Sequence, residues 1–233
     1  MAEPLAVPER ALAISAHPDD AELNAGATLA RWAGAGCEVS ILVCTDGSKG
    51  SWDGAEDRDR LAATRRDEQR AALRALGGSG VCVFLDRVDG ELASGLPERG
   101  LVAAAIRRLR PQVVLGHDPW RRYRLHPDHR HAGRLACEGI VAARDPLFFP
   151  EQGLASWRPS ALLLWEADEP DHDEPVDGAA LGAKVAALQA HRSQYLTTFG
   201  IDRSDDAGAL RAHAERVAAA TGGAERFKLH TDL

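Results

Sequence analysis

One histidine and three carboxylates stand together in ISAHPDDAEL, Ile14 to Leu23, directly behind an apolar run. Two of the acids, Asp19 and Asp20, are neighbours, and adjacent like charges repel. Either one of them caps a following helix, a position that suits Asp, or something positive lies between them. His-Pro-Asp recurs at His126–Asp128, with His129 next in line. Two such motifs could supply two imidazoles and a carboxylate to one divalent ion, leaving a position open for water. In that arrangement Asp20 binds the ion and Asp19 stays free within reach of the water. The same donor set also serves non-haem iron(II). An Asp base beside the metal is idle in oxygen chemistry and needed in hydrolysis, which favours a metal-dependent hydrolase over an oxygenase. A non-catalytic binding module is disfavoured, because every group that hydrolysis needs is present.

The elements that must position these motifs follow from the hydrophobic pattern. Short apolar runs at 11–16, 38–45, 81–85, 112–117 and 161–167 are rich in Val, Ile and Leu. Each has strand length and is apolar enough for burial on both faces, as parallel sheets require. Between them lie helix-like segments such as EDRDRLAATRRDEQRAALRALGG, which ends at a glycine pair, and HPDHRHAGRLACEGIVAAR, with Pro127 near its first helical position. A later helix is read in GAALGAKVAALQAHRSQY, and a terminal one over 207–220. Strand alternating with helix, without hairpin signals, predicts an α/β fold: a Rossmann-like, doubly wound, mostly parallel sheet with helices on both faces. Such sheets bind ligands beyond the carboxyl ends of the strands, where strand order reverses. The first strand runs into His17, and the fourth ends near His117 and leads to His126–His129. Both motifs emerge where this architecture puts its site.

The chain of 233 residues, 45% hydrophobic and 27% charged, suits a single domain over 1–233. A net charge of -7 argues against a nucleic-acid or anionic-membrane surface. No apolar run approaches the roughly 20 residues of a membrane span. The first residues lack a positive region followed by an apolar core, so the expected location is the cytoplasm. Cys37, Cys44, Cys82 and Cys137 show no CxxC spacing and read as buried small hydrophobes. The sequence leaves room for an oligomer without specifying one.

AHPDDAEL and HPDHRHAG, together with TDGSKGSWD, KVAALQAHRSQ and the strand–helix order, resemble the PIG-L/LmbE family of zinc-dependent N-acetylglucosamine deacetylases. The resemblance runs from about Ala13 to Tyr195. It implies one Zn2+ per chain held by His17, Asp20 and His129, with Asp19 as general base. It also implies that His126 stabilises the oxyanion with Asp128 tuning it, and that Arg65 and Asp118 contact the sugar. The implied partner is a small N-acetylated amino sugar, with no nucleic acid and no membrane; a close variant would cleave a larger amide such as a thiol conjugate. One departure stands out. Family members often carry Gly-Cys-Gly-Gly after the first motif, and here Asn24 to Ala27 read NAGA, which bears on the adjoining wall of the site.

Other segments carry weaker signals. TDGSKGSWDG at 45–54 lacks phosphate-loop spacing and reads as a connector or as a mobile substrate loop offering Trp52 to a sugar ring. Arg121, Arg122 and Arg124 read as solvated or as a site for an anionic substrate group. The acidic stretch 166–175 reads as a solvated loop or a rim over the site. Among the remaining histidines, His117 is placed near the site without a role, and His131 should point away from His129. His191 is given a packing or capping role, and His172, His213 and His230 are read as solvated.

Overall fold

The computed structural model describes residues 3–201, 208–209, 211–213, 215–216 and 223–233. Four parallel strand-and-helix units come first: β1 (Arg10–Ser15), α1 (Asp20–Gly34), β2 (Glu38–Thr45), α2 (Arg58–Ala75), β3 (Cys82–Arg87), α3 (Leu96–Leu109), β4 (Val113–His117) and α4 (Pro127–Arg144). They are followed by β5 (Ala161–Trp165), β6 (His172–Pro175), α5 (Gly178–Ala190) and β7 (Ala224–His230). The helix expected over 207–220 lies largely outside the described residues; the described positions within it are helical.

The sheet order is β3-β2-β1-β4-β5-β7-β6. Strands β1 to β5 pair in parallel, and β7 runs antiparallel to both β5 and β6. The doubly wound, mostly parallel α/β sheet expected from the sequence is therefore the fold, with two strands that the apolar pattern does not show. The acidic stretch expected to be a loop contains β6, where His172 is buried and hydrogen-bonded to Glu174 rather than solvated.

Strand periodicity builds two cores. Ala11, Ala13, Val39, Ile41, Val43, Leu115 and Leu163 point to one face, packed by Ala25, Leu29 and Trp32 of α1 and Leu73 of α2. Leu12, Ile14, Leu42, Val114 and Leu164 point to the other, packed by Val102 and Ile106 of α3 and Leu135 and Ile140 of α4. Gly133 lets α4 lie against the end of β4. A Cβ there would fall 2.5 Å from the His117 carbonyl oxygen, so a side chain would push the helix, and the motif at its start, away from the sheet.

The other end of α4 is held by Arg107 of α3. Its buried guanidinium donates to the carbonyls of Ala142, Ala143, Asp145 and Phe148 at the helix terminus and the following turn, where Ala143 and Asp145 also accept from the Trp157 and Phe148 N–H groups. Arg107→Met keeps the stem but removes all of these donors. It is expected to lower unfolding stability by roughly 2–4 kcal/mol, read as a reduced urea midpoint at unchanged slope. A midpoint like that of the parent protein would show that these carbonyls find other partners.

Candidate active site

The carboxyl ends of β1 and β4 are adjacent, with Ile14 opposite Gly116, and strand order reverses there. Asp19 occupies the N-cap position of α1 with φ 108°. This is left-handed backbone, which Asp tolerates better than most residues but at a cost of about 1–3 kcal/mol. Its side chain makes no capping bond. The carboxylate instead accepts from Arg65 Nη2 at 3.4 Å and Thr198 Oγ1 at 3.2 Å, in the wall of a cavity of about 430 Å³. Burial pushes its pKa up to about 6, with Asp20 adding repulsion and Arg65 opposing.

His17, Asp20 and His129 stand side by side and belong to overlapping groups that could hold a metal ion, His17 with His126 and His129, Asp20 with His117 and His129, and His17 with Asp89, His126 and Asp128. His17 Nδ1 lies 3.1 Å from His129 Nε2 and 3.6 Å from Asp20 Oδ2, and His129 Nε2 lies 3.6 Å from Asp20 Oδ1. Ligands about 2.0–2.2 Å from a tetrahedral ion are separated by about 3.3–3.6 Å, so this spacing fits a zinc-sized cation. Burial would lower His17, but Asp128, Asp20 and Asp89 hold it well above the usual imidazole range, so a cation at Nδ1 would take the place of its second proton. Burial, with His117 and His17 nearby, pushes His129 down to about 3, which leaves a neutral imidazole with a free lone pair. Burial would raise Asp20, but His129 and His117 hold it well below the usual carboxylate range.

Outer groups orient His17 and Asp20, in the manner of metal sites, whereas His129 Nδ1 is buried without a hydrogen-bond partner among the described residues. His17 Nε2 faces Asp128 at 3.1 Å and Asp89 at 3.2 Å, which directs Nδ1 toward His129 and Asp20. His117 Nδ1 accepts from Trp165 Nε1 at 2.9 Å, so its proton is on Nε2, 3.1 Å from Asp20 Oδ2. That hydrogen bond makes His117 an orienting partner of Asp20 and gives it the role its sequence position does not disclose.

Other placements depart from the sequence expectation. Asp128 is fully buried and bonds His17 and the backbone N–H groups of Gly90 and Leu92, while its charge also acts to raise His126. His126 lines the cavity, its ring stacked on His129 at 4.8 Å. Burial and the His17 charge lower its pKa, while Asp128 opposes this from a distance. Arg65 also lines the cavity, but its guanidinium is committed to the carbonyls of Pro18 and Gly47 as well as to Asp19. Asp118 lies apart from this cavity: it accepts from the Trp120 N–H and lines a neighbouring surface groove with Arg122, Tyr123 and Lys228. The acid that does line the cavity, and that the sequence motifs miss, is Asp89, in the turn after β3. No motif marks it; only its place in the sheet order could have.

The loop after β2 contributes Lys49 to Trp52 to the cavity, with Trp52 79% exposed at its edge. Arg121 and Arg124 are paired with Glu166, from the acidic stretch, and so are not free for an anionic substrate group. The NAGA segment lies within α1, and the α1 residue that lines the cavity beyond the motif is Leu23. His131 bonds Ser94, away from His129, and His191 is fully buried beside Glu22.

The PIG-L family model, described as GlcNAc-PI de-N-acetylase, matches residues 12–140. A diacetylchitobiose deacetylase of Thermococcus kodakarensis is 33% identical over 196 residues, covering 83% of this chain and 73% of the relative. A 1D-myo-inositol 2-acetamido-2-deoxy-alpha-D-glucopyranoside deacetylase of Streptomyces avermitilis is 32% identical over 245 residues, covering 89% of this chain and 83% of the relative. Among solved structures, the N,N'-diacetylchitobiose deacetylase of Pyrococcus horikoshii superposes with a TM-score of 0.85 at 27% identity, covering 96% of this chain and 84% of that one.

Proposed function

This chain belongs to the PIG-L family, and from that premise we propose that it removes the N-acetyl group from an N-acetylglucosamine-containing glycoside or a related small molecule. The observation that carries the reading is the juxtaposition of His17, Asp20 and His129 in one cavity with a buried Asp19 held by Arg65 and Thr198. The relatives named above act on acetylated amino sugars by their names, and the cavity has room for one sugar ring.

A zinc ion held by those three side chains would polarise the amide carbonyl and lower the pKa of water to about 7. The protein's own groups supply the remainder. Asp19, unprotonated, accepts the proton of the attacking water; Arg65 and Thr198 hold its carboxylate toward the cavity. His126, whose ring meets that of His17 edge-on and stacks on that of His129, donates an N–H to the oxyanion as the carbonyl becomes tetrahedral, and the proton taken up by Asp19 passes to the leaving amine as the C–N bond breaks. Trp52 offers an aromatic face at the mouth. No helix among the described residues is long and apolar enough to cross a membrane, and the proposed setting is the cytoplasm.

The test is direct. The zinc-loaded protein is incubated with a panel of N-acetylglucosamine conjugates, and acetate and free amine are measured. Equal amounts of both, with the glycosidic bond intact, are expected. Release of an intact N-acetyl sugar with no free amine would overturn the reading in favour of glycosidase action.

A further inference from the structure

The left-handed backbone of Asp19 is secured from behind, by residues that do not line the cavity. The Asp19 N–H donates to Gln69 Oε1 at 3.2 Å, and Gln69 Nε2 donates to Glu22 Oε1 at 2.6 Å. The second Glu22 oxygen lies 3.5 Å from His191 Nε2, but neither that oxygen nor either His191 ring nitrogen makes a hydrogen bond among the described residues. Gln69, Glu22 and His191 are each 0% exposed. Burying an amide, a carboxylate and an imidazole together is costly unless they satisfy one another.

The amide of Gln69 is used at both ends. Its oxygen meets an N–H, and its nitrogen meets a carboxylate; turned over, it would set donor against donor and acceptor against acceptor. Glu22 therefore fixes which way Gln69 faces, and Gln69 fixes the Asp19 peptide. That peptide controls where the carboxylate goes. An N-cap Asp ordinarily has extended backbone and bonds the N–H groups of its own helix. At φ 108° Asp19 makes no such bond, and its carboxylate is free to face Arg65, Thr198 and the cavity.

We propose that Gln69 is a positioning residue for the general base: it holds Asp19 out of the helix-capping conformation, with Glu22 setting the orientation of its amide. The inference rests on reading Asp19 as the base.

The experiment is a set of variants of the zinc-loaded protein, each checked for metal content and circular dichroism. Gln69→Met, which fills the same space without either bond, is expected to lower kcat roughly 10- to 100-fold, with KM within about twofold and zinc retained. Added to Asp19→Asn, the same substitution should cost nothing further, because its effect passes through Asp19. Gln69→Glu alone sets two carboxylates together and should be impaired. Combining it with Glu22→Gln restores an acceptor for the Asp19 N–H and a donor–acceptor pair between the side chains, and should recover most of kcat. This isosteric pair keeps the test valid if Gln69→Met does not fold. Normal kcat in both Gln69→Met and Gln69→Glu would overturn the proposal, as would losses that multiply in the Asp19→Asn background or a swapped pair no better than Gln69→Glu. If Asp19→Asn itself retains full kcat, the base assignment falls and the proposal with it. If Asp19→Asn is inactive and the Gln69 variants are normal, the positioning role alone falls.

Discussion

Asp19→Asn is expected to lose roughly 10²–10⁴ in kcat while keeping its zinc and its fold, the range for removing general acid–base help. The substitution is nearly isosteric, and the Asn side-chain oxygen can still accept from Arg65 and Thr198. What it removes is the lone pair that takes a proton. Because that transfer belongs to the transition state, the loss should fall on kcat, with KM little changed. The pH profile adds a second readout. Burial raises Asp19 to about 6, so the base form appears as pH rises through that value, and kcat/KM should climb there in the parent protein. Burial lowers His126, so its protonated form is lost below the usual imidazole range, and the bell should be narrow. Asp19→Asn should abolish the acidic limb and His126→Ala the alkaline one. Near-normal kcat in Asp19→Asn, with metal present, would mean that the acidic pair is only a ligand and a helix start.

Asp20→Ala should behave differently, losing the ion as well as the activity. Removing an outer partner of a metal ligand typically costs 10–100-fold in metal affinity, and removing a ligand should cost more. Asp20 supplies the one carboxylate among the three proposed ligands, and it is the charge that His117 and His129 face. Elemental analysis after dialysis should find about one zinc per chain in the parent and little in the variant, with activity dependent on added zinc. Full retention of zinc by Asp20→Ala would assign the carboxylate ligand elsewhere, with Asp89 and Asp128 the nearest alternatives beside His17. A parent protein that retains iron and needs oxygen for turnover would instead remove the hydrolytic reading.

Much of this site is legible in the amino-acid order. Five apolar runs alternating with helices require a parallel sheet, and a doubly wound sheet reverses its order beside its first strand. His17 and His129 follow the two strands on either side of that reversal, so their proximity follows from connectivity alone. The two strands that the apolar pattern does not reveal have a physical cause. β7 lies at the sheet's antiparallel side and alternates buried with more exposed positions, and β6 has only four residues, three of them charged or imidazole. Neither reads as an apolar run, and their pairing depends on contacts between distant segments. His172, which sits in β6, looks solvated in sequence for the same reason.

The sequence by itself determined the donor types, their attachment to strand ends and the neighbouring placement of the proposed ligand Asp20 and the proposed base Asp19. It could not determine where each side chain points. Consecutive residues on a helix face different directions, so Asp128 goes beneath His17 while His129 reaches Asp20. Only packing decides which of them meets which neighbour. Asp89 enters the cavity because β3 and β2 set its turn beside β1, and Asp118 leaves it because its own loop turns it to Trp120. The left-handed backbone that frees Asp19 is likewise a tertiary decision. A local preference would have made it a helix cap, and a glutamine 50 residues away holds it otherwise.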